Sequence, residues 1–262
     1  KRHLIQIACL QETHLTDHKA NKLAKKWRGQ CYFFNYSSYA RGVMIWIAPG
    51  VPFRLLYQEA DIEGRYILLQ GQLNGQNIAL LSTYGPNTDD PQFYPCLQNI
   101  LGSEVEYPLM WLGDFNCVLD GTLDRHPTKL STKPKMTATL NAVMSNLGLI
   151  DTWRHTHPTH LEYTCYTPTH GTYSRLDRIL LSQDWVENLR STRHMARYLS
   201  DHAPVVCSLT WGGNPGSRAG WRMPPDILED PVAKESIHGY ISEYLSLNWE
   251  STPHRGIEWD AL

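Results

Sequence analysis

No stretch of this chain is long and apolar enough to span a bilayer. The longest apolar run, around Val43 to Ala48, falls far short of the roughly 20 residues a membrane helix needs. No charged-then-apolar leader opens the chain, which starts at Lys1 in what already reads as element interior, as expected of a fragment or a truncated reading frame. The six cysteines (Cys9, Cys31, Cys96, Cys117, Cys165, Cys207) include no CxxC pair and no Cys/His zinc spacing. That argues against a disulfide scaffold or zinc module and for reduced thiols in an intracellular protein. Charge of one sign is lacking too: 24 Lys and Arg against 26 Asp and Glu leave a net charge of -2. No global basic excess announces a nucleic-acid partner, although an enzyme that holds metal with carboxylates does not need one. There is no GxSxG nucleophile elbow, no P-loop and no GxGxxG turn, so serine hydrolase and nucleotide-fold readings lack support. Repeats and low-complexity tracts are absent as well. The 262 residues, 42% of them hydrophobic, suffice for one large α/β core with an appendage.

Within those bounds the chain reads as many short strands with a few helices, the pattern of an α/β sandwich. Leu4 to Leu10, Cys31 to Tyr36 and Gly42 to Ile47 are strand-like, the last stopped by Pro49-Gly50. Thr16-Asp17 offers an N-cap for a helix to about Trp27. Tyr66 to Leu73 and Asn77 to Thr83 flank Asn74-Gly75, a two-residue hairpin signal. Helices are expected near Pro91 to Leu101 and over Thr137 to Leu147. Further strands are expected at Tyr163 to Tyr166, Ser174 to Leu181, Met195 to Leu199 and Val205 to Thr210. The glycine-rich stretch after Trp211 marks a domain boundary, with one or two amphipathic helices beyond it at Asp226 to Leu247.

The stretch Leu109-Met110-Trp111-Leu112-Gly113-Asp114-Phe115-Asn116 carries the most chemistry. Alternation places Asp114 and Asn116 on one side of an extended segment, with Phe115 turned to the core. A carboxylate can take a proton from water, and a neighbouring carboxamide can hold an oxygen without adding charge. The same octapeptide also fits a strand running into an Asx turn. Glu12 follows the first strand and could bind a hard cation such as Mg²⁺, or it could be an exposed loop residue. Tyr84, before Gly85-Pro86-Asn87, could donate to a phosphate oxygen or simply end a strand in the core. In Ser174-Arg175-Leu176-Asp177, alternation places Arg175 and Asp177 on one face, leaving Asp177 as a salt-bridge residue or a buried orienter. Asp201-His202, before the last strand, repeats the pattern of a strand end with a carboxylate and a polar partner. If these strand ends converge, the set matches metal-assisted hydrolysis of a phosphate ester.

Taken in order, these stretches resemble the endonuclease/exonuclease/phosphatase superfamily, which includes DNase I and the AP endonucleases. Within it they are most similar to the endonuclease domain of LINE-type retrotransposon polyproteins. The matching segments are Leu10-Gln11-Glu12-Thr13-His14, Tyr84-Gly85-Pro86-Asn87, Gly113-Asp114-Phe115-Asn116, Leu123-Asp124-Arg125, Tyr163-Thr164, Thr172-Tyr173-Ser174-Arg175-Leu176-Asp177 and Ser200-Asp201-His202. They span roughly residues 1–210. The resemblance implies a four-layer α-β-β-α sandwich of two mixed sheets, with a C-terminal helical extension over 211–262. It implies Mg²⁺, with Mn²⁺ as a substitute, on Glu12, with Asp201 near the metal or a second metal position. Asp114 would deprotonate the attacking water, with Asn116 beside it on the phosphate. His202 would hydrogen-bond the scissile phosphate, held by Asp177, and Tyr84 would contact the phosphate. Arg125, Thr164 and Ser174 match positions that face DNA. The implied reaction is nicking of one DNA strand, leaving a 3′-hydroxyl that primes reverse transcription. The implied setting is a nuclear, monomeric domain covalently joined to a reverse transcriptase, with no membrane partner.

The family opens with a strand bearing an Asn-containing motif, and no such motif precedes Gln11. An absent central strand would leave unpaired backbone groups and a cavity, so reduced activity is expected of this chain. Two other readings stand beside the nuclease. One is a phosphatase or phosphodiesterase acting on RNA ends, lipids or small phosphates. The other is a non-catalytic remnant of the fold.

Overall fold

The computed structural model describes residues 5–102, 107–128, 133–197 and 200–210, with scattered positions between 230 and 242. In chain order it holds β1 (Ile7–Gln11), α1 (Asp17–Lys26), β2 (Gln30–Phe34), β3 (Val43–Ile47), β4 (Phe53–Ala60), β5 (Tyr66–Leu73), β6 (Gln76–Tyr84), α2 (Phe93–Leu101) and β7 (Leu109–Asp114). These are followed by β8 (Arg125–His126), α3 (Pro134–Asn146), β9 (Leu149–Asp151), α4 (Thr152–Thr156), β10 (Cys165–Thr167), β11 (Thr172–Ser174), β12 (Asp177–Ser182), β13 (Leu189–His194) and β14 (Val205–Leu209).

A six-stranded sheet in the order β4-β5-β6-β7-β12-β9 is the spine. Only β6 and β7 pair in parallel, so the sheet is mixed. Its central strands β5, β6, β7 and β12 are largely buried on both faces, while the edge strand β4 is more exposed, and alternation divides the buried side chains between two cores. Leu68, Ala79, Leu81, Trp111 and Leu180 pack outward against Tyr94, Leu97 and Leu101 of α2 and Met136, Leu140 and Val143 of α3. Their neighbours Ile67, Leu69, Ile78, Leu80, Met110, Ile179 and Leu181 pack inward against Val43, Ile45 and Ile47, with Cys9 and Cys207 at the margin. The facing layer is the antiparallel sheet β1-β3-β2 together with the pair β13-β14. Among the described residues β1 and β14 each have one strand neighbour. On its outside α1 buries Ala20, and Trp27 stacks on Trp46 of β3 at 5.1 Å. Helix, sheet, sheet and helix succeed one another, the architecture the resemblance implies.

Local chemistry explains most of the boundaries. The Thr16 side chain caps α1 by accepting from Lys19 N. Leu73 pairs with Gln76 across Asn74 and Gly75, both at positive φ as a two-residue turn requires. The third helix begins at Pro134, earlier than the periodicity suggests, because proline suits its first turn. The expected strand Ser174 to Leu181 is interrupted at Arg175-Leu176, where Arg175 N donates to the carbonyl of Asp124. The strand expected at Met195 to Leu199 is not formed at 195–197, and 198–199 lie outside the described residues; a strand that polar residues mask precedes it at Leu189–His194. Strands β4 and β9 carry no clear signal of their own. By its contacts the chain divides into units 1–212 and 213–262. Most of the expected tail helices fall outside the described residues, and positions 231–232 and 234–236 are helical. No helix among the described residues is long and apolar enough to cross a membrane.

His194, at the end of β13, is a buried histidine with no hydrogen-bond partner at either ring nitrogen. Its ring stacks on Trp153 of α4 at 3.9 Å, and Nδ1 lies 3.6 Å from Glu162. Burial, then the nearby Arg175 charge, pushes its pKa down to about 4. The unfolded chain takes up this proton below about pH 6.5, while the folded chain refuses it until about pH 4. Unfolding therefore gains a proton in that window, and stability falls as pH falls. His194→Phe, which keeps the stack, should flatten the decline in urea midpoint between pH 7 and pH 5 relative to the parent chain.

Candidate active site

Sheet register brings the first three groups together. Tyr84 ends β6 directly opposite Asp114, which ends β7, and Asp114 stands opposite Asp177, the first residue of β12. Three side chains nearly a hundred residues apart thus share one rim. Two glycines allow the close approach. A Cβ at Gly113 would sit 2.0 Å from the carbonyl oxygen of Thr83, and one at Gly85 would sit 2.5 Å from that of Phe115. Beyond Gly113 the chain turns back through Asn116 at φ 49, whose N–H donates to Asp114 Oδ1 at 2.8 Å. The Asx turn and the Asp114–Asn116 pair are therefore one structure. Asn116 Nδ2 also donates to the Gly85 carbonyl at 3.0 Å, tying the two loops together.

His202 completes the cluster. Its Nδ1 lies 2.7 Å from Asp177 Oδ2, and it pairs as an isolated bridge with Cys165. Ligand atoms of Asp114, Asp177 and His202 all lie within 4.8 Å of one another. Burial and the like charge of Asp177 raise the Asp114 carboxyl to about 7. Burial alone would lower His202; the hydrogen bond its Nδ1–H donates to Asp177, with the Asp177 and Asp114 charges, outweighs it and lifts the imidazole to about 12. Asp177 therefore holds the imidazole in its charged form.

Glu12 follows β1 at φ 50, a conformation uncommon for glutamate, and His14 lies at φ 49. Such left-handed residues concentrate at functional sites. Burial, followed by a hydrogen bond to Glu12, pushes the Tyr84 phenol up to about 12, which keeps it a donor. Glu12, Asp114 and Asp177 set three carboxylates against one imidazolium at this rim, a donor set that suits a hard divalent cation.

The remaining expected residues sit differently. Asp201 is exposed and accepts from Ser200 Oγ, outside the Asp114–Asp177–His202 set. Arg125 is half-buried on β8 opposite Ser174. Thr164 and Ser174, expected to face DNA, are buried. The Thr164 hydroxyl accepts from the N–H groups of Leu176 and Asp177, and its carbonyl accepts from Ala203 N at 2.6 Å. This threonine clamps the two loops that carry Asp177 and His202. Arg175 and Asp177 do not act together: Asp177 turns to His202, while Arg175 turns inward to Asp124 and Asp151.

Two cations at the rim escaped the sequence reading. Lys133 Nζ donates to the carbonyls of Asn116 at 2.6 Å and Pro86 at 3.1 Å. Arg65 Nη1 donates to those of Tyr84 and Gly85, both at 3.3 Å. Together they neutralise and pin the two loops around Asp114. Neither stands in a motif, and Lys133 arrives from a charged loop whose path carries no periodic signal.

A rim of carboxylates, an imidazolium and a phenol at the strand ends of a two-layer sandwich defines a class of phosphoester hydrolases. The chain belongs to the endonuclease/exonuclease/phosphatase family, whose sequence pattern matches residues 1–202. Among curated proteins it is similar to the uncharacterized 149 kDa protein of transposon TX1 from Xenopus laevis, 24% identical over 254 residues. That match covers 92% of this chain and 19% of the relative, so the chain spans about a fifth of its length. Among solved structures it is similar to an AP endonuclease from Archaeoglobus fulgidus, with a TM-score of 0.61 and 24% identity over 78% of this chain and 88% of that one. It is also similar to the 3′ phosphatase NExo from Neisseria bound to a product DNA hairpin, with a TM-score of 0.62 and 22% identity over 79% of this chain and 89% of that one. These likenesses establish the fold.

Proposed function

We propose that the domain is a divalent-metal-dependent DNA endonuclease that nicks one strand and leaves a 3′-hydroxyl for priming reverse transcription. The convergence of Asp114, Asp177 and His202, with Tyr84 and Glu12 on the same rim, carries this reading. Its setting would be a longer polyprotein joined to a reverse transcriptase and acting as a monomer on nuclear DNA; the support for this is that the relative is a transposon protein of which the chain spans about a fifth.

Mg²⁺, or Mn²⁺ in its place, would be held by Glu12 with the adjoining carboxylates and supplies charge neutralisation at the phosphate and the leaving oxygen. Asp201, exposed beside His202, enters only as an outer ligand. Asp114 orients a water and accepts its proton as the water attacks phosphorus. The His202 imidazolium donates to a non-bridging phosphate oxygen, and Asp177 fixes its ring and its charge. Tyr84, whose one O–H donates to Glu12 in the free site, would turn that donor to a phosphate oxygen once Glu12 holds the metal. One amide hydrogen of Asn116 is spent on Gly85, and the other remains for the phosphate. Arg125 borders the rim as a contact for the DNA backbone, whereas Thr164 and Ser174 serve by positioning.

The test is incubation with supercoiled plasmid in Mg²⁺ or EDTA. Metal-dependent relaxation to nicked circles is the expected result. Turnover of small phosphate esters with intact plasmid would transfer the site to a phosphatase. DNA binding without turnover of any ester would leave a non-catalytic domain.

A further inference from the structure

We propose that the exposed face of α1 is a second contact surface for duplex DNA, taking the sugar-phosphate backbone away from the scissile bond. This deepens the nuclease reading and rests on it.

The observation is a segregation of charge. The chain as a whole is close to neutral, with a net charge of -2, yet Lys19, Lys22, Lys25, Lys26 and Arg28 place five of its 24 cations within ten residues. At 3.6 residues per turn, His18, Lys19, Lys22, Lys25 and Lys26 fall within an arc of about 120°. All five are exposed, as is Arg28 just beyond the helix. Leu23, Ala20, Ala24 and Trp27 occupy the other side. Most of that side is committed to the fold: Ala20 is fully buried, and Trp27 stacks on Trp46 and donates to the Ile47 carbonyl at 2.9 Å, leaving Leu23 as its one exposed apolar residue. An amphipathic basic helix can lie on a membrane only if its apolar face is free, and this one is not.

Among the described residues no carboxylate lies within ion-pair distance of these four lysines or of Arg28. The helix's one acid, Asp17, accepts from Asn35 at its N-terminal end. Like charges at i, i+3 and i+4 repel, and the helix dipole favours only those in the last turn, Lys25 and Lys26. Lys19 and Lys22 are left uncompensated, and a polyanion would supply what they lack.

Position links the stripe to the site. Thr16, the cap of α1, follows Glu12 by four residues, and Glu12 reaches the Tyr84 hydroxyl. From its end near Glu12, α1 extends about 15 Å, the length of about four base-pair steps, along the outer face of the β1-β3-β2 sheet to Trp27 beside Ile47, which pairs with the start of β1. A duplex engaged at Asp114 and reaching along α1 would release counterions from phosphates that take no part in the chemistry.

The experiment compares the full chain with K19Q/K22Q/K25Q/K26Q, all four at exposed positions. Affinity for a 20-base-pair duplex is measured against KCl concentration, alongside Mg²⁺-dependent hydrolysis of bis(p-nitrophenyl) phosphate. Each phosphate contact contributes about 0.9 to the slope of log K against log salt, so the variant should lose about 3–4 from it. Hydrolysis of the small diester, which cannot reach α1, should stay at the parent rate. A variant with the parent slope overturns the proposal while leaving the nuclease reading intact. Parent binding to phosphatidylserine vesicles that the variant loses, with duplex binding unaltered, assigns the stripe to lipid and also overturns it. A parent chain that neither cuts nor binds duplex overturns the nuclease reading, and this proposal with it.

Discussion

Asp114→Asn should slow plasmid nicking by about 10³-fold while leaving DNA affinity equal to or slightly tighter than that of the parent chain. The substitution is nearly isosteric, so the rim keeps its shape and the change is chemical. The carboxylate is lost as the group that accepts the water's proton. Its negative charge, which burial and then the Asp177 charge disfavour so that the pKa stands at about 7, disappears as well. Removing that charge relieves repulsion toward a phosphate backbone, which is why binding should not suffer. The signature is therefore a fall in single-turnover rate without a rise in Kd. His202→Ala should fall by a similar factor, because Asp177 then has no imidazolium to hold. The double variant should be far less than multiplicatively worse, since the two groups act on one transition state. Nicking by Asp114→Asn within threefold of the parent rate would remove this residue from the chemistry and with it the proposed mechanism.

How far such a site can be read from sequence depends on which physics fixes each group. Asp114 was placed at its strand end because a glycine and a carboxylate after an apolar run form a local pattern, whereas Asn116, expected beside it by alternation, lies beyond β7 at positive φ with its amide on the Gly85 carbonyl. His202 and Glu12 were legible only in company, as members of an ordered set. The sequence could not show that Tyr84, Asp114 and Asp177 stand shoulder to shoulder, because register across non-sequential strands is a property of the assembled sheet. The same limit explains the misplaced outer residues. Thr164 looks like a surface hydroxyl in Tyr163-Thr164-Cys165, and only the interrupted strand at Arg175-Leu176 turns backbone donors toward it. Helices α1 and α2 were placed within a few residues because caps and periodicity are local signals. Strand β13, written Leu-Arg-Ser-Thr-Arg-His, was missed because its pairing with β14 fixes it more than its own composition does. Lys133 and Arg65 act through carbonyls, which belong to no residue type and so leave no motif.

Asp124→Asn should destabilise the domain by about 3–5 kcal/mol, the cost of breaking a buried ion network from one side. Asp124 is 1% exposed and receives Nε and Nη2 of Arg175 at 2.9 Å each, Nη2 of Arg178 at 3.1 Å and Nη2 of Arg154 at 2.5 Å. Asp151 shares Arg175 at 2.7 Å. Without Asp124, three guanidinium groups would face a single carboxylate, two of them with no route to water. For a domain of this size the loss corresponds to a fall in Tm of roughly 6–20 °C. Burial alone would raise the Asp124 pKa; the charges of Arg178 and Arg175 overcome it and hold the carboxyl well below the usual range. A folded pKa depressed in this way contributes stability that is complete at neutral pH and is lost as acid titrates the group. The asparagine variant should therefore also lose part of the parent's decline in stability below about pH 4. Thermal melts at pH 7 and pH 3.5 separate the two effects. The network matters beyond stability, because Arg178 donates to the Cys117 carbonyl at 2.8 Å and so fixes the irregular segment that follows Asn116. Nicking by Asp124→Asn should fall even well below its Tm, whereas Asp124→Asn/Arg178→Met, which removes one unpaired cation, should recover Tm without recovering rate. A single variant with parent Tm would show that solvent reaches these arginines and that the cluster is not the buried anchor its geometry describes.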